Sequence, residues 1–570
     1  LSAVAGFARP EMAFAQDSRG GAVILQHIRS ATSAKSGMVV AQDRYGARVG
    51  ADILARGGNA VDAAVATGFA MAASYPRAGN LGGGGFMLIH LARSGESIAI
   101  DYRETAPAAA TRDMFLGADG KPDPARSRDS ALAIGVPGTV AGMTLALRKY
   151  GSGRFTLAEL LAPAIALARD GFAIDDDLAD SLPQVRDRLA RWPASAKLFL
   201  REDGTVKGQG ERLVQSDLAE TMSAIARDGE RGFYEGEVAR RIVEAIRAAG
   251  GIVTADDMKA YQPVVRAPVR GSYRGYDILA MPPPSSGGIV LIEALNILEG
   301  FPADMISAEN AASYHLLIEA MKQAYADRAF YLGDPAFADA PAVTLMSKTY
   351  AARMREKIDP ARARQAAEIA PALPATREGG NTTHFSIVDA EGNAVSNTYT
   401  LNFSYGLGMV ADGTGVLLNN ELDDFTAAVG AANAFGLVGL NANLPGPGKR
   451  PLSSMSPTIV LKDGKVVLIT GSPGGSRIIS AVLQVVVNVI DRRLGIAEAV
   501  AAPRLHHQWM PDEVRVEQSF PPDIVEGLQR LGHLVVMPAG QTSANSILID
   551  AGGIRGAADP RTRGARAEGN

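Results

Sequence analysis

Asn381-Thr382-Thr383 opens "NTTHFSIVDAEGNAVSNTYTLN", two alternating runs that meet at a tight turn around Glu391-Gly392-Asn393. Threonine is β-branched and suits a pleated strand, which is reason enough for a Thr-Thr pair at a strand head. Its hydroxyl is also a nucleophile, but a poor one until a base takes its proton. The usual bases are missing from this chain. Its seven histidines are scattered, no H-E-x-x-H pair occurs, and adjacent His506 and His507 would face opposite ways on a strand. No G-x-S-x-G stands in a strand-turn-helix setting. There is no cysteine, which excludes a thiolate nucleophile, thiolate metal sites and disulfides. One solution needs no neighbouring base: cutting the chain just before a threonine frees an α-amine that accepts the proton. The segment "ARARQAAEIAPALPATREGG", residues 361 to 380, reads as an exposed connecting loop and ends in Gly-Gly just before Asn381. It leaves Thr382 at the head of a strand, as that chemistry requires.

Other residues offer chemistry of their own. "TGSPGGSRIIS", residues 470 to 480, lies between a strand and a helix, so its N–H groups cluster at the positive end of a helix dipole. No Gly-Lys-Ser/Thr follows and Rossmann spacing is absent. The N–H groups of Gly474 and Gly475 are thus free for an oxyanion, or the glycines only turn the chain. In "SNTYTLN", alternation sends Thr398, Thr400 and Asn402 to one face and Tyr399 and Leu401 to the other. That face is polar, and it brings Thr400 towards Thr382. "LLNNELDDF" adds Glu421, Asp423 and Asp424, "KRPLSSMSP" adds Ser453 and Ser454, and "DYRETAP" adds Arg103. Each alone is as well read as a solvated loop, a turn or a surface charge.

The elements around them set the class. At 570 residues the chain can bury a large core. With 47% hydrophobic residues, 62 glycines and 31 prolines it is an ordinary folded chain rich in turns. A net charge of −4 argues against a nucleic-acid partner or a strongly basic membrane surface, and favours small or polar solutes. Residues 44 to 360 carry long alanine- and leucine-rich helical patterns broken by short strands such as "GFMLIHLA" and "ESIAIDYRE". Beyond residue 381 the period switches to two, with a second hairpin whose tip is Asp463-Gly464. Strand pairs followed by helices predict an α+β layered fold. The tail "DPRTRGARAEGN" reads as loose. No apolar run reaches the length of a membrane span, and "GNAVDAAVATGFAMAASY" carries Asn59 and Asp62, so it reads as a buried helix. Ala13-Phe14-Ala15 before Gln16 has the form of an export cleavage site. Residues 1 to 16 are therefore expected to be the remnant of an export signal and the protein periplasmic or secreted.

"LGGGGFML", "DYRETAP", "NTTHFSIVDAEGNAVSNTYTLN", "LLNNELDDF", "KRPLSSMSPTIV", "GSPGGSRII" and "APRLHHQW" follow one another in the order found in the γ-glutamyltransferase family of N-terminal nucleophile hydrolases. The resemblance runs from about residue 38 to about 562. It implies a four-layer α/β/β/α sandwich with neither metal nor cofactor, built from one precursor that cuts itself. The cut falls between Asn381 and Thr382. It gives a mainly helical large subunit, residues 17 to 381, and a β-rich small subunit, residues 382 to 570.

The resemblance also implies roles. Thr382 attacks the Asn381 carbonyl in an N-to-O acyl shift. It later attacks the γ-carbonyl of a glutamyl donor such as glutathione or glutamine, and water, an amino acid or a dipeptide removes the acyl group. Thr400 hydrogen-bonds the nucleophile, and Gly474 and Gly475 hold the oxyanion. Arg103, Ser453 and Ser454 grip the donor α-carboxylate, and Asn402, Glu421 and Asp424 receive its α-ammonium. Residues 426 to 450 resemble a lid, with Phe435 where a tyrosine is frequent. Glu421 stands where some members have glutamine, which is expected to add negative charge beside the ammonium. Two other readings remain: a cephalosporin or glutaryl acylase on the same scaffold, and a non-catalytic periplasmic binding protein for amino acids or peptides.

Overall fold

The structure is a computed structural model that describes residues 30–370, 382–537 and 542–570. The expected export remnant and Asn381, and with it the expected cut bond, lie outside the described residues.

Two seven-stranded sheets form the centre. One runs in the order Arg566–Gly569, Met38–Ala41, Thr383–Val388, Ala394–Thr400, Gly84–Leu91, Glu96–Tyr102, Val264–Arg266. The other runs Thr32–Ala34, Gly553–Ala557, Ser546–Asp550, Lys465–Thr470, Thr458–Lys462, Tyr276–Ala280, Val269–Tyr273. All the ladders within both sheets are antiparallel. In each sheet, strands from before and after residue 382 are interleaved.

Alternation along the strands explains the layers. In Thr383–Val388, Phe385 and Ile387 face one way and join the core made with helices such as Ala60–Ser74, together with Val395 and Tyr399 from the next strand. Val388 and Ala394 face the other way and meet Ile459, Ile469 and Ile547 of the second sheet. The outer face of that sheet, through Ile278, Val460 and Leu468, packs on helices Gly287–Glu299, Ala311–Tyr331 and Arg477–Ile490. The result is helix, sheet, sheet, helix, as the resemblance implied. Between the sheets the packing changes along the strands. The hairpin end is aliphatic, whereas towards Thr382 the same face carries Ser386, His384, Ser396 and Thr398, all fully buried.

The hairpins close as expected, with Asp463 and Gly464 both at positive φ (51° and 75°), the pairing that a two-residue turn between twisted strands needs. Helix Ala60–Ser74 is buried along its whole length, and Asn59 and Asp62 form a capping box at its start. Among the described residues no helix is long and apolar enough to cross a membrane.

Three expectations need correcting. The tail is ordered: Arg566–Gly569 adds an edge strand to Met38–Ala41, and Arg561 pairs with Glu517 and Asp559. The first half of the supposed exposed loop is held down. Arg364 is buried against Glu319, Lys322 donates to the Arg364 carbonyl, and Asp512 accepts from the Ala366 N–H. Finally, strand alternation stops at Thr400. Asn402 has φ 75°, a left-handed conformation uncommon outside glycine, so its direction is set by a local turn and not by the pleat.

Candidate active site

Thr382 immediately precedes its strand, and continuing the Thr383–Tyr399 register by one step sets it opposite Thr400. Thr382 and Thr400 line one open cleft, of about 260 Å³, together with Arg103, Asn402, Glu421, Asp424, Phe435, Ser453, Ser454 and Gly475. All but one of the proposed catalytic and substrate-binding residues therefore meet on its wall. Gly474 stands one residue behind it. The Thr400 hydroxyl accepts from the Asn402 N–H at 2.8 Å, which ties the strand end to the turn that aims Asn402. The Asn402 amide in turn donates to the Asn420 carbonyl at 2.9 Å.

The glycine loop is shaped for an anion. Gly474 and Gly475 have φ of 132° and 58°, and their carbonyls accept from the N–H groups of Arg477 and Ile478 in the first turn of the following helix. Among the described residues the N–H groups of Gly474 and Gly475 themselves have no acceptor. A Cβ on Gly475 would come within 2.2 Å of the Phe435 ring, so glycine is required for space as well as for backbone angle.

Beside Thr382 the groups are neutral. The Ser386 hydroxyl donates to the Asn545 carbonyl at 2.9 Å, so His384 Nε2 donates to Ser386 at 3.0 Å and Nδ1 accepts from Thr398 at 2.8 Å. Burial pushes this imidazole down to about 3, so it stays uncharged at working pH. Both its nitrogens are engaged, which removes it as a base.

The opposite end concentrates charge. Arg103 is fully buried, donates through Nε to the Pro451 carbonyl, and pairs with Glu421 and Asp424. Glu104 is fully buried beside it, with no hydrogen bond among the described residues to either carboxylate oxygen and its Oε2 3.8 Å from the Arg103 guanidinium. One guanidinium thus faces three carboxyl groups. Burial pushes all three carboxyl groups up, Glu104 to about 7, Glu421 strongly and Asp424 less so, while Arg103 draws each back down. Burial thus works against the charge on Glu421 and the adjoining guanidinium works for it. The carboxyl group expected from this glutamate is thus held against Arg103 at the cleft wall.

The segment read as a lid covers this cleft. Phe435 packs edge-on against Phe403, its carbonyl accepts from Gln508, and Asn433 donates to Asp424 at 3.0 Å. Asp423 accepts from the Ala434 N–H, so the acidic pair fastens the lid from beneath.

The sequence reading did not single out Glu104, His384, Arg328 or Asn433. Glu104 had a signal in its adjacency to Arg103 within "DYRETAP". Arg328 had one in the charges spread around every face of a long buried helix. Among the described residues, His315, Glu319 and His533 converge in a manner that metal ligands would. Glu319 is already bonded to Arg364 and lies 3.1 Å from the Lys322 ammonium, so a lysine fills the place of a cation.

The family model for gamma-glutamyltranspeptidase matches residues 46–569. The chain belongs to the γ-glutamyltranspeptidase family. It is 50% identical over 530 residues to the glutathione hydrolase proenzyme of Escherichia coli strain K12, covering 93% of this chain and 91% of that one. Among solved structures it resembles a cephalosporin acylase from Bacillus halodurans, with a TM-score of 0.83 at 28% identity over 95% of this chain and 97% of that one. It also resembles the γ-glutamyltranspeptidase of Helicobacter pylori, with a TM-score of 0.56 at 44% identity. There the match covers 57% of this chain and 93% of the solved one. As a γ-glutamyltranspeptidase, this protein is an N-terminal nucleophile hydrolase whose nucleophile is a threonine.

Proposed function

We infer that this γ-glutamyltranspeptidase cuts itself before Thr382 and then moves γ-glutamyl groups from glutathione, glutamine or related amides to amino acids, dipeptides or water. The observation that carries the reading is one cleft with a threonine hydroxyl and a glycine loop at one end and a buried arginine with an acidic pair at the other. Such a cleft suits an amide whose acyl group ends in an α-amino acid.

The steps follow from the two ends. The freed α-amine of Thr382 takes the hydroxyl proton as Oγ1 attacks the donor γ-carbonyl, and the carbonyl oxygen becomes an anion. The N–H groups of Gly474 and Gly475 hold that anion. The protonated amine hands its proton to the leaving nitrogen, which departs and leaves a γ-glutamyl ester on Thr382. Water or an acceptor amine then repeats the sequence in reverse order. Arg103, Ser453 and Ser454 hold the α-carboxylate, while Asn402, Glu421 and Asp424 accept from the α-ammonium. Thr400 fixes the nucleophile. The Helicobacter pylori chain matches little more than half of the present one, which supports a molecule made of two pieces. An exported protein, periplasmic or secreted, fits the A-x-A site near the start.

The structural likeness to an acylase makes glutaryl amides the sharpest alternative donors. A glutaryl group is a glutamyl group without its ammonium, so it would leave Asp424 buried with one cation fewer. The test is kcat/KM for γ-glutamyl and glutaryl anilides on the processed enzyme. A marked γ-glutamyl preference is expected, and Asp424→Asn should weaken the glutamyl reaction much more than the glutaryl one. Equal efficiency, or a glutaryl preference, would remove the ammonium role from Asp424 and make the acylase reading the better one.

A further inference from the structure

Arg328 lies in the last turn of helix Ala311–Tyr331 and is buried, with 5% of its surface exposed. Arg103 and Arg450, two other buried arginines, are each balanced by carboxylates. Arg103 pairs with Glu421 and Asp424, and Arg450 with Asp101. Among the described residues Arg328 has no carboxylate within ion-pair distance. Asp424 is a counter-charge felt only through space. Burial lowers the guanidinium to about 10, so it remains a cation at neutral pH. A buried cation left without a pair is costly, and one that persists directly behind a cleft-lining serine is balanced when an anion arrives at that serine.

Its hydrogen bonds show where. Nε donates to the Ser286 hydroxyl at 2.9 Å, and that hydroxyl donates to the Ser453 carbonyl at 2.7 Å. The Ser286 N–H donates to the same carbonyl at 2.8 Å. Nη2 donates to the Ser454 hydroxyl at 3.3 Å. A serine hydroxyl has one proton, and an arginine can only donate, so the arginine occupies a lone pair of Ser454. The proton of Ser454 must then point elsewhere, and no described side chain or backbone carbonyl accepts it. Ser454 lines the cleft.

We propose that Arg328 is a positioning and specificity residue for donor recognition, directing the Ser454 hydroxyl as a hydrogen-bond donor into the cleft and setting a second cation behind Arg103 for the donor α-carboxylate. The proposal rests on the reading of Ser453 and Ser454 as α-carboxylate ligands. It explains why the serine pair is anchored from a helix distant in sequence. It also explains how a site with three carboxyl groups around Arg103 still attracts an anion.

The test compares two anilide donors on processed enzyme, γ-glutamyl and 4-aminobutyryl, the second being the same acyl group without its α-carboxylate. Arg328→Gln should raise KM for the γ-glutamyl donor roughly ten- to a hundredfold, the loss expected for one charge-assisted hydrogen bond, with kcat changed far less. For the 4-aminobutyryl donor both constants should stay close to those of the parent enzyme. Arg328→Lys, which keeps the charge but loses the fork, should fall between. Ser454→Ala should discriminate in the same direction, and the double variant should lose less than the product of the two. If Ser454→Ala affects both donors alike, the carboxylate reading of the serine pair fails. If Ser454→Ala discriminates and Arg328→Gln does not, the role given to Arg328 fails. Should the Arg328 variants not fold or process, Ser286→Ala decides, since it leaves the charge and removes the Nε anchor. A smaller selective rise in KM for the γ-glutamyl donor supports the proposal, and equal behaviour on both donors overturns it.

Discussion

The two ends of the cleft are built from opposite materials. Around Thr382 lie buried glycines and hydroxyls and an uncharged imidazole, the last hydrogen-bonded to Thr398 and Ser386. Around Arg103 lie three carboxyl groups and, behind Ser454, a second guanidinium. Under the proposed function, charge in this cleft serves recognition and the reacting end is kept neutral. That division leaves the nucleophile without a side-chain base, and it makes the amine released by chain cleavage the natural proton acceptor. It also means that pH acts on the two ends differently. The reacting end should follow the α-amine and the recognition end the carboxyl set.

The largest effect should come from Thr382→Ala, which removes the one group both proposed covalent steps need. Intact mass should show a single uncut chain, against two fragments in the parent, the smaller beginning Thr-Thr-His-Phe, and no turnover of γ-glutamyl anilide should be measurable. Cleavage at the same bond in that variant would break the contrast, because some other group at the neutral end would then have to be the nucleophile. Next is Gly475→Val, expected to lower kcat roughly a hundred- to a thousandfold, the usual cost of one lost oxyanion donor. Both the positive φ and the Phe435 ring forbid the new side chain, so the amide must shift. A processed variant with parental kcat would show that the loop only turns the chain.

The smallest and most diagnostic effect concerns the charged end. Its acids are raised by burial, and the set releases a proton as pH rises through about 7, the value to which Glu104 is pushed. Above that pH another carboxylate competes for Arg103, so KM for γ-glutamyl donors should climb a few-fold while kcat follows the amine. Glu104→Gln should flatten the KM limb and leave the kcat limb in place. The same shift has a sign for stability. The folded chain keeps a proton that the unfolded chain has released, so this group's contribution is full below about 4.5 and is lost as pH rises to about 7. Thermal melts of parent and Glu104→Gln across that window should converge at low pH and separate above it. A KM profile identical in the two proteins would mean that Glu104 is not the group that titrates beside Arg103.

Much of this was legible in the residues themselves. The Asp463-Gly464 turn and the alternation of "THFSIV" depend on local geometry, and local geometry is written in short stretches. The glycine pair after a strand announced an anion loop for the same reason. Asn402 was placed in the cleft for an incomplete reason, because nothing local says that a strand ends at Thr400 and that the next turn takes a left-handed residue. Residues 363 to 370 and the tail read as loose since neither carries apolar periodicity. What holds them is arginine and main-chain bonding to partners far along the chain, Arg364 to Glu319 and Arg561 to Glu517. Glu421 taught the converse. Its type says carboxyl, but the burial beside two other carboxyl groups that pushes it up comes only from the fold, which brings those three together.

The interleaving of strands fixes an order of events. Ladders between chain before and after residue 382 occur three times in one sheet and twice in the other. Each half would expose bare strand edges on its own, and such edges invite wrong partners. A break at residue 382 made after folding severs one covalent link and leaves every ladder in place. The same break made beforehand leaves two fragments, neither holding a complete sheet on which the other could register. Continuity of the chain is thus an assembly tool with a limited lifetime, indispensable while the strands find their neighbours and dispensable once they have. Genes that encode the two halves separately should yield little active enzyme, however well each half is made.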